Sequence, residues 1–137
     1  MDKAEWNAMR RRDKDRIVVE RVMVWTKLEE PVFFPPDEEM DWRKPDGYAS
    51  MLPMFTTDRN TCALVLDEIM KRSDQALQRF VHELGDALCS PGTAHHQSDD
   101  GLSILMHYSI LDVLRASPDT LCYCAIKAIE ETQREIT

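Results

Sequence analysis

With 137 residues, 43% of them apolar and 31% charged, the chain has the length and balance of one globular domain. A domain of this size buries about two thirds of the surface its unfolded form exposes, so it needs neither disulfides nor a metal to hold a core. The formal net charge of −8, from 25 acidic and 17 basic residues, opposes a broad nucleic-acid surface, because most of the fold would repel a phosphate backbone.

The start of the chain reads as a loosely docked segment over 1–12. Trp6 and Met9 are three apart and allow a short turn, but Arg10-Arg11-Arg12 interrupts any apolar face. That charged opening also lacks the apolar core of an export signal. From Asp13 to Trp25, the residues Ile17, Val18, Val22, Met23 and Trp25 recur at three- and four-residue spacing, which predicts a first helix.

Residues 27–57 differ in kind. Pro31, Pro35, Pro36, Pro45 and Pro53, together with the run Asp37-Glu38-Glu39, exclude a long helix. Val32, Phe33, Phe34, Trp42, Tyr48, Met51, Leu52, Met54 and Phe55 are nevertheless too many large apolar groups to leave in water. The segment is expected to be a long ordered connection lying across the helices, and such a stretch often carries function. Charge divides at the same place: 1–27 hold eight Lys or Arg against five acids, whereas 28–58 hold eight acids against Arg43 and Lys44.

Thr57 and Asp58 offer side-chain acceptors just ahead of Cys62, Val65, Leu66, Ile69 and Met70, which predicts a helix over 58–72. Ser73-Asp74 repeats the signal, and Ala76, Leu77, Phe80, Val81, Leu84 and Leu88 predict another over 74–89. Residues 90–101, with Pro91, Gly92, His95, His96, Asp99 and Asp100, read as an exposed loop. The spacing over 102–114 favours a helix, with a strand over 102–110 as the alternative. Ser103, His107, Ser109 and Asp112 keep this stretch well short of the ~18–20 apolar residues that cross a bilayer. Ser117-Pro118 predicts the cap and first turn of a last helix running to Arg134, with Leu121, Cys122, Ala125, Ala128 and Ile129 inward. The expected fold is mainly α: one compact domain over 1–137 with four to five helices, a Pro- and aromatic-rich connection after the first, and room for two or three short strands. A three-layer α-β-α sandwich is the alternative.

No catalytic set emerges from the spacing. His82-Glu83 with Asp86 resembles a zinc-hydrolase helix that has lost its second histidine, and the pair His95-His96 beside Asp99 and Asp100 has ligand-type residues whose adjacent side chains diverge. Cys122-Tyr123-Cys124 lacks the spacing of a structural zinc site, and only Cys122 shares the apolar face of its helix. All four cysteines, Cys62, Cys89, Cys122 and Cys124, are expected to be reduced and buried. The basic group Arg10, Arg11, Arg12, Lys14 and Arg16 reads as a solvated helix face. No cofactor or metal is expected. The candidate contact surface is the acidic and aromatic set Phe33, Phe34, Asp37, Glu38, Glu39, Asp41 and Trp42, in which aromatics serve as anchors and carboxylates face a basic partner.

Three stretches carry a family resemblance: Ile17 to Trp25, Phe55-Thr56-Thr57-Asp58 opening a helix, and Ser117-Pro118 through Leu121-Cys122-Tyr123-Cys124-Ala125 to Ala128. Together they resemble the small phage and prophage proteins of the "phage ABA sandwich" domain family, over about half of the chain. The resemblance implies a small sheet layered between helices, with strands best accommodated at 31–35, 51–56 and 102–108. It also implies a phage or prophage origin and an accessory role in the cytoplasm of an infected bacterium. From these readings the expected function is non-enzymatic: binding and inhibition of a host defence or regulatory protein with a basic surface, with a homodimer in keeping with the many apolar side chains. Sequestration of a small molecule or nucleotide between the helices and the long connection is the second reading. A metal-dependent hydrolase built on His82, Glu83 and the loop histidines is the third.

Overall fold

The computed structural model describes residues 1–34, 38–88 and 116–136, and these form five helices and one three-stranded sheet. Helix α1 (Lys3–Ala8) starts at Asp2, whose Oδ1 accepts from the Glu5 amide at 2.8 Å. That bond holds the Asp2 carboxyl below the usual carboxylate range. The loosely docked start expected over 1–12 is not what forms: Trp6 is fully buried, and the Met1 amino group donates to Glu130 Oε2 at 2.8 Å.

Helix α2 (Arg11–Arg21) stops four residues short of the predicted end at Trp25. The Trp25 amide turns back to the Val19 carbonyl at 3.0 Å, and Val24 between them adopts a left-handed conformation, φ 56°. This bond closes the helix end, and Val24 takes a left-handed position where glycine is usual because a β-branched side chain crowds the backbone. Arg72 adds a second stop by donating to the carbonyls of Arg21 and Val22. Since the Val24 side chain is exposed, Val24→Gly is expected to raise stability by about 1 kcal/mol, read as a higher urea midpoint at unchanged slope.

The segment predicted as an irregular connection is a sheet. Strand β1 (Thr26–Phe34) pairs antiparallel with β2 (Glu38–Arg43), which pairs with β3 (Ala49–Ser50), in the order β1-β2-β3. The β1–β2 register jumps between Lys27↔Trp42 and Val32↔Met40, so four residues, Leu28 to Pro31, face Asp41 alone. Pro31 fits this bulge because it has no amide hydrogen to lose from a ladder. Of the strand positions named from sequence, 31–35 overlaps β1. The 51–56 position is not a strand, since β3 stops at Ser50 and Thr57 and Asp58 bond back to the Met54 carbonyl. The β2–β3 connection turns at Gly47, φ 93°, with its amide on the Lys44 carbonyl at 2.9 Å.

Three further helices follow the predicted boundaries. Helix α3 (Arg59–Arg72) is capped by Asp58, which accepts from the Asn60 amide at 3.0 Å and the Thr61 hydroxyl at 3.0 Å. Helix α4 (Asp74–Leu88) opens with Ser73 Oγ accepting from the Ala76 amide at 3.1 Å. Helix α5 (Pro118–Ile136) opens with Ser117 Oγ accepting from Thr120 at 3.1 Å. The loop at 90–101, the element at 102–114 and the third strand position, 102–108, lie outside the described residues.

Helix α5 is the hub, packed against α2, α3 and α4. Because neighbours flank it on more than one side, it buries Cys124 and Ile126 as well as the predicted stripe of Leu121, Cys122, Ala125, Ala128 and Ile129, so Cys124 is buried without sharing the face of Cys122. Among the described residues the sheet meets the helices only lightly, so it is not layered between them and the three-layer alternative does not describe this arrangement. No helix among the described residues is long and apolar enough to cross a membrane.

Candidate functional site

The β1–β2 hairpin divides into a rooted half and a free half. At the root, Trp42 is only 2% exposed and belongs to the hydrophobic core, so it anchors the hairpin rather than touching a partner as expected. Beyond the bulge the pattern reverses. Val32 and Phe33 are neighbours on one strand and therefore point to opposite faces, yet both are exposed, Phe33 by 66%. A strand wet on both faces stands clear of the body that carries it.

Phe33 lies opposite Glu39, and Phe34 pairs through its backbone with Glu38. Glu38 and Glu39 are exposed, Asp41 is half-buried, and Glu29 and Glu30 lie exposed in the bulge. None of these five acids forms an ion pair with a described residue. Asp37 lies outside the described residues. Of the seven residues expected at the contact surface, Phe33, Glu38 and Glu39 therefore share one exposed arm, Asp41 sits at its base, and Trp42 is core.

Of the basic N-terminal group, Arg10, Arg11, Arg12 and Arg16 are exposed, as a solvated face requires, but Arg12, Lys14 and Arg16 also pair within the chain. Arg12 Nη1 meets Asp15 Oδ2 at 2.9 Å and Nη2 meets the Leu52 carbonyl at 2.7 Å, Arg16 meets Asp13 at 3.1 Å, and Lys14 Nζ meets Asp119 Oδ1 at 2.7 Å. Lys14 is not on a solvated face: it is buried, 5.0 Å above the Trp6 ring, while Trp6 Nε1 donates to Asp119 Oδ2 at 3.1 Å. Asp15, only 1% exposed, also accepts from the Thr56 amide at 3.0 Å and the Thr56 hydroxyl at 2.9 Å. Neither cluster had a signal in spacing, since the partners are 41 and 105 residues apart.

His82 Nε2 lies 3.6 Å from Asp86 Oδ2, one turn apart on α4. Glu83, its carboxyl pushed up by burial, lines an open cleft of about 410 Å³ with Lys3, Asp86, Ala87, Thr120 and Tyr123. Lys3 Nζ sits 4.5 Å over the Tyr123 ring at one wall. Among the described residues no three His, Cys, Asp or Glu side chains converge on a point where an ion could sit, and His95, His96, Asp99 and Asp100 lie outside them. The cleft lies between α1, α4 and α5, not between the helices and the 27–57 segment where a pocket was expected.

Fold and surface together define a mainly helical domain that presents an acidic hairpin arm bearing exposed apolar side chains. No protein-family model, curated protein or solved structure matches the chain.

Proposed function

We propose that the chain acts by binding: a non-enzymatic phage accessory protein, working in the bacterial cytoplasm, that blocks a host defence or regulatory protein through the β1–β2 arm. The observation that carries this reading is Phe33, a large aromatic side chain 66% exposed beside Glu38 and Glu39, which form no ion pair among the described residues. An exposed aromatic gains nothing for folding in that position, but it is the residue type that dominates contact energy once a partner covers it. The surrounding carboxylates select a basic partner and speed its approach, and the same charge opposes a nucleic acid.

The test is affinity capture from bacterial lysate using the full chain, followed by measured binding of whatever is captured. Phe33→Ala is expected to leave the thermal midpoint unchanged and weaken binding at least tenfold, since the side chain contributes little to folding where it is. Changing Asp37, Glu38, Glu39 and Asp41 together to Ser is expected to weaken binding and flatten its salt dependence. A saturable partner whose affinity ignores both changes would remove the arm from the function; no saturable partner at all would remove the binding role.

The cleft of about 410 Å³ lined by Glu83, Asp86 and Tyr123 favours a second reading, sequestration of a small molecule. Native mass spectrometry of the purified chain separates the two, because a retained ligand is expected only for this one.

A further inference from the structure

We propose that Cys62 and Cys122 join in a reversible disulfide when the protein meets a peroxide, tying α3 to α5. Their sulfurs lie 3.9 Å apart in the core, on two packed helices, with both side chains closed to solvent. The other polar neighbours of the pair are backbone carbonyls, that of Pro118 3.8 Å from Cys62 Sγ and that of Phe55 3.5 Å from Cys122 Sγ, each an acceptor for a thiol hydrogen. A disulfide needs about 2.05 Å between sulfurs, so each must travel about 1 Å, within reach of a small χ1 rotation or a slight helix shift.

The two thiols are not equivalent. The hydrogen bond from Cys122 holds the Cys62 thiol below its ordinary range, helped by the charge of Arg59, whereas the same contact and burial push Cys122 up. This asymmetry favours Cys62 as the sulfur that attacks and Cys122 as the one that resolves, and the same disulfide forms in either order. The Cys62 sulfur attacks one peroxide oxygen and the O–O bond breaks, giving a sulfenic acid and one water. The Cys122 sulfur then attacks the Cys62 sulfur, the S–S bond forms as the S–O bond breaks, and the hydroxyl leaves as a second water with the Cys122 proton. Two thiols lose two electrons and the peroxide takes both. Cys124, two residues on, stays out: its thiol is pushed up to about 12, by burial first and by the Glu83 charge second. Because both reacting sulfurs are buried, the rate follows local opening of the α3–α5 contact and is expected to be slower than for an exposed thiol.

The test uses the intact chain treated with hydrogen peroxide, then alkylation of remaining thiols and peptide mapping by mass spectrometry. The expected product is one linked peptide pair, Cys62 with Cys122, lighter by two hydrogens, which disappears on reduction. It should form equally in Cys124→Ser and in Phe33→Ala, which keeps this outcome separate from that of the hairpin, and it should be lost in Cys62→Ser and Cys122→Ser. Oxidised wild type should melt at a higher temperature than reduced wild type, with dithiothreitol restoring the lower midpoint. Alkylation of both cysteines after peroxide, a link to Cys89 or Cys124 instead, or a sulfinic acid on Cys62 without a link would each overturn the proposal. Mapping of the wild type decides the matter even where a serine variant fails to fold.

Discussion

Replacing Asp15 with alanine is expected to destabilise the protein by about 3–5 kcal/mol, a large share of the ~5–15 kcal/mol that holds a domain of this kind together. The carboxylate is only 1% exposed and serves three donors, the Thr56 amide, the Thr56 hydroxyl and Arg12 Nη1. Truncation leaves the buried Thr56 amide with no acceptor, and that loss outweighs the loss of Arg12, whose side chain is 50% exposed and finds water and the Leu52 carbonyl. The order of effects follows from this. Asp15→Asn keeps an acceptor for Thr56 and should cost about half as much as Asp15→Ala, and Arg12→Ala should cost about 1 kcal/mol. Urea unfolding of the three variants checks the ranking. Equal losses for Asp15→Ala and Arg12→Ala would mean that the ion pair, not the Thr56 acceptor, matters most. The site is also what fastens α2 to the chain just before α3, so the loss should fall on the helical body and leave the hairpin arm's own contacts alone.

Trp6→Ala should cost about 3–5 kcal/mol as well, for a different reason. The indole is fully buried, its centroid is 5.9 Å from that of Tyr123, Lys14 Nζ lies over its face, and its Nε1 donates to Asp119. Alanine leaves a cavity between α1 and α5 and removes the ring from beneath a buried ammonium, while the Lys14–Asp119 pair at 2.7 Å keeps its charge balance. Trp6→Phe fills most of the cavity and loses only the donor, so about 1–2 kcal/mol is expected. Thermal denaturation gives the numbers, and limited proteolysis supplies an independent reading: cleavage within 1–10 should rise sharply in Trp6→Ala and little in Trp6→Phe. Unchanged proteolysis would show that α1 docks without its tryptophan.

Both predictions concern residues whose roles join distant parts of the chain. The hairpin arm stands apart from them energetically, because Phe33, Glu38 and Glu39 are exposed whereas its root, Trp42, is in the core. Variants of the arm and of the body should therefore separate binding from stability, which is what makes the binding role testable on its own.

The helix starts at Asp58, Ser73 and Ser117, and the apolar faces that follow them, are legible in the residues alone. Those are local facts: a capping oxygen meets an amide two or three residues away, and a helical stripe repeats within a few turns. The residues of 27–57 also read as apolar, acidic and not helical, with a strand at 31–35 that overlaps β1, but the extent of β1 and its pairing with β2 are hidden because the four-residue bulge at Leu28 to Pro31 breaks the alternation by which a strand is recognised. The end of α2 was misplaced because Val24 takes a backbone conformation that its side chain disfavours and Arg72, some fifty residues on, helps to stop the helix. That Trp42 is an anchor and Phe33 is exposed, that Asp15 and Lys14 lie inside, and that Cys62 faces Cys122 emerge from the packed fold. Each of these depends on which elements come together in space, and no pattern within a few turns of chain records that.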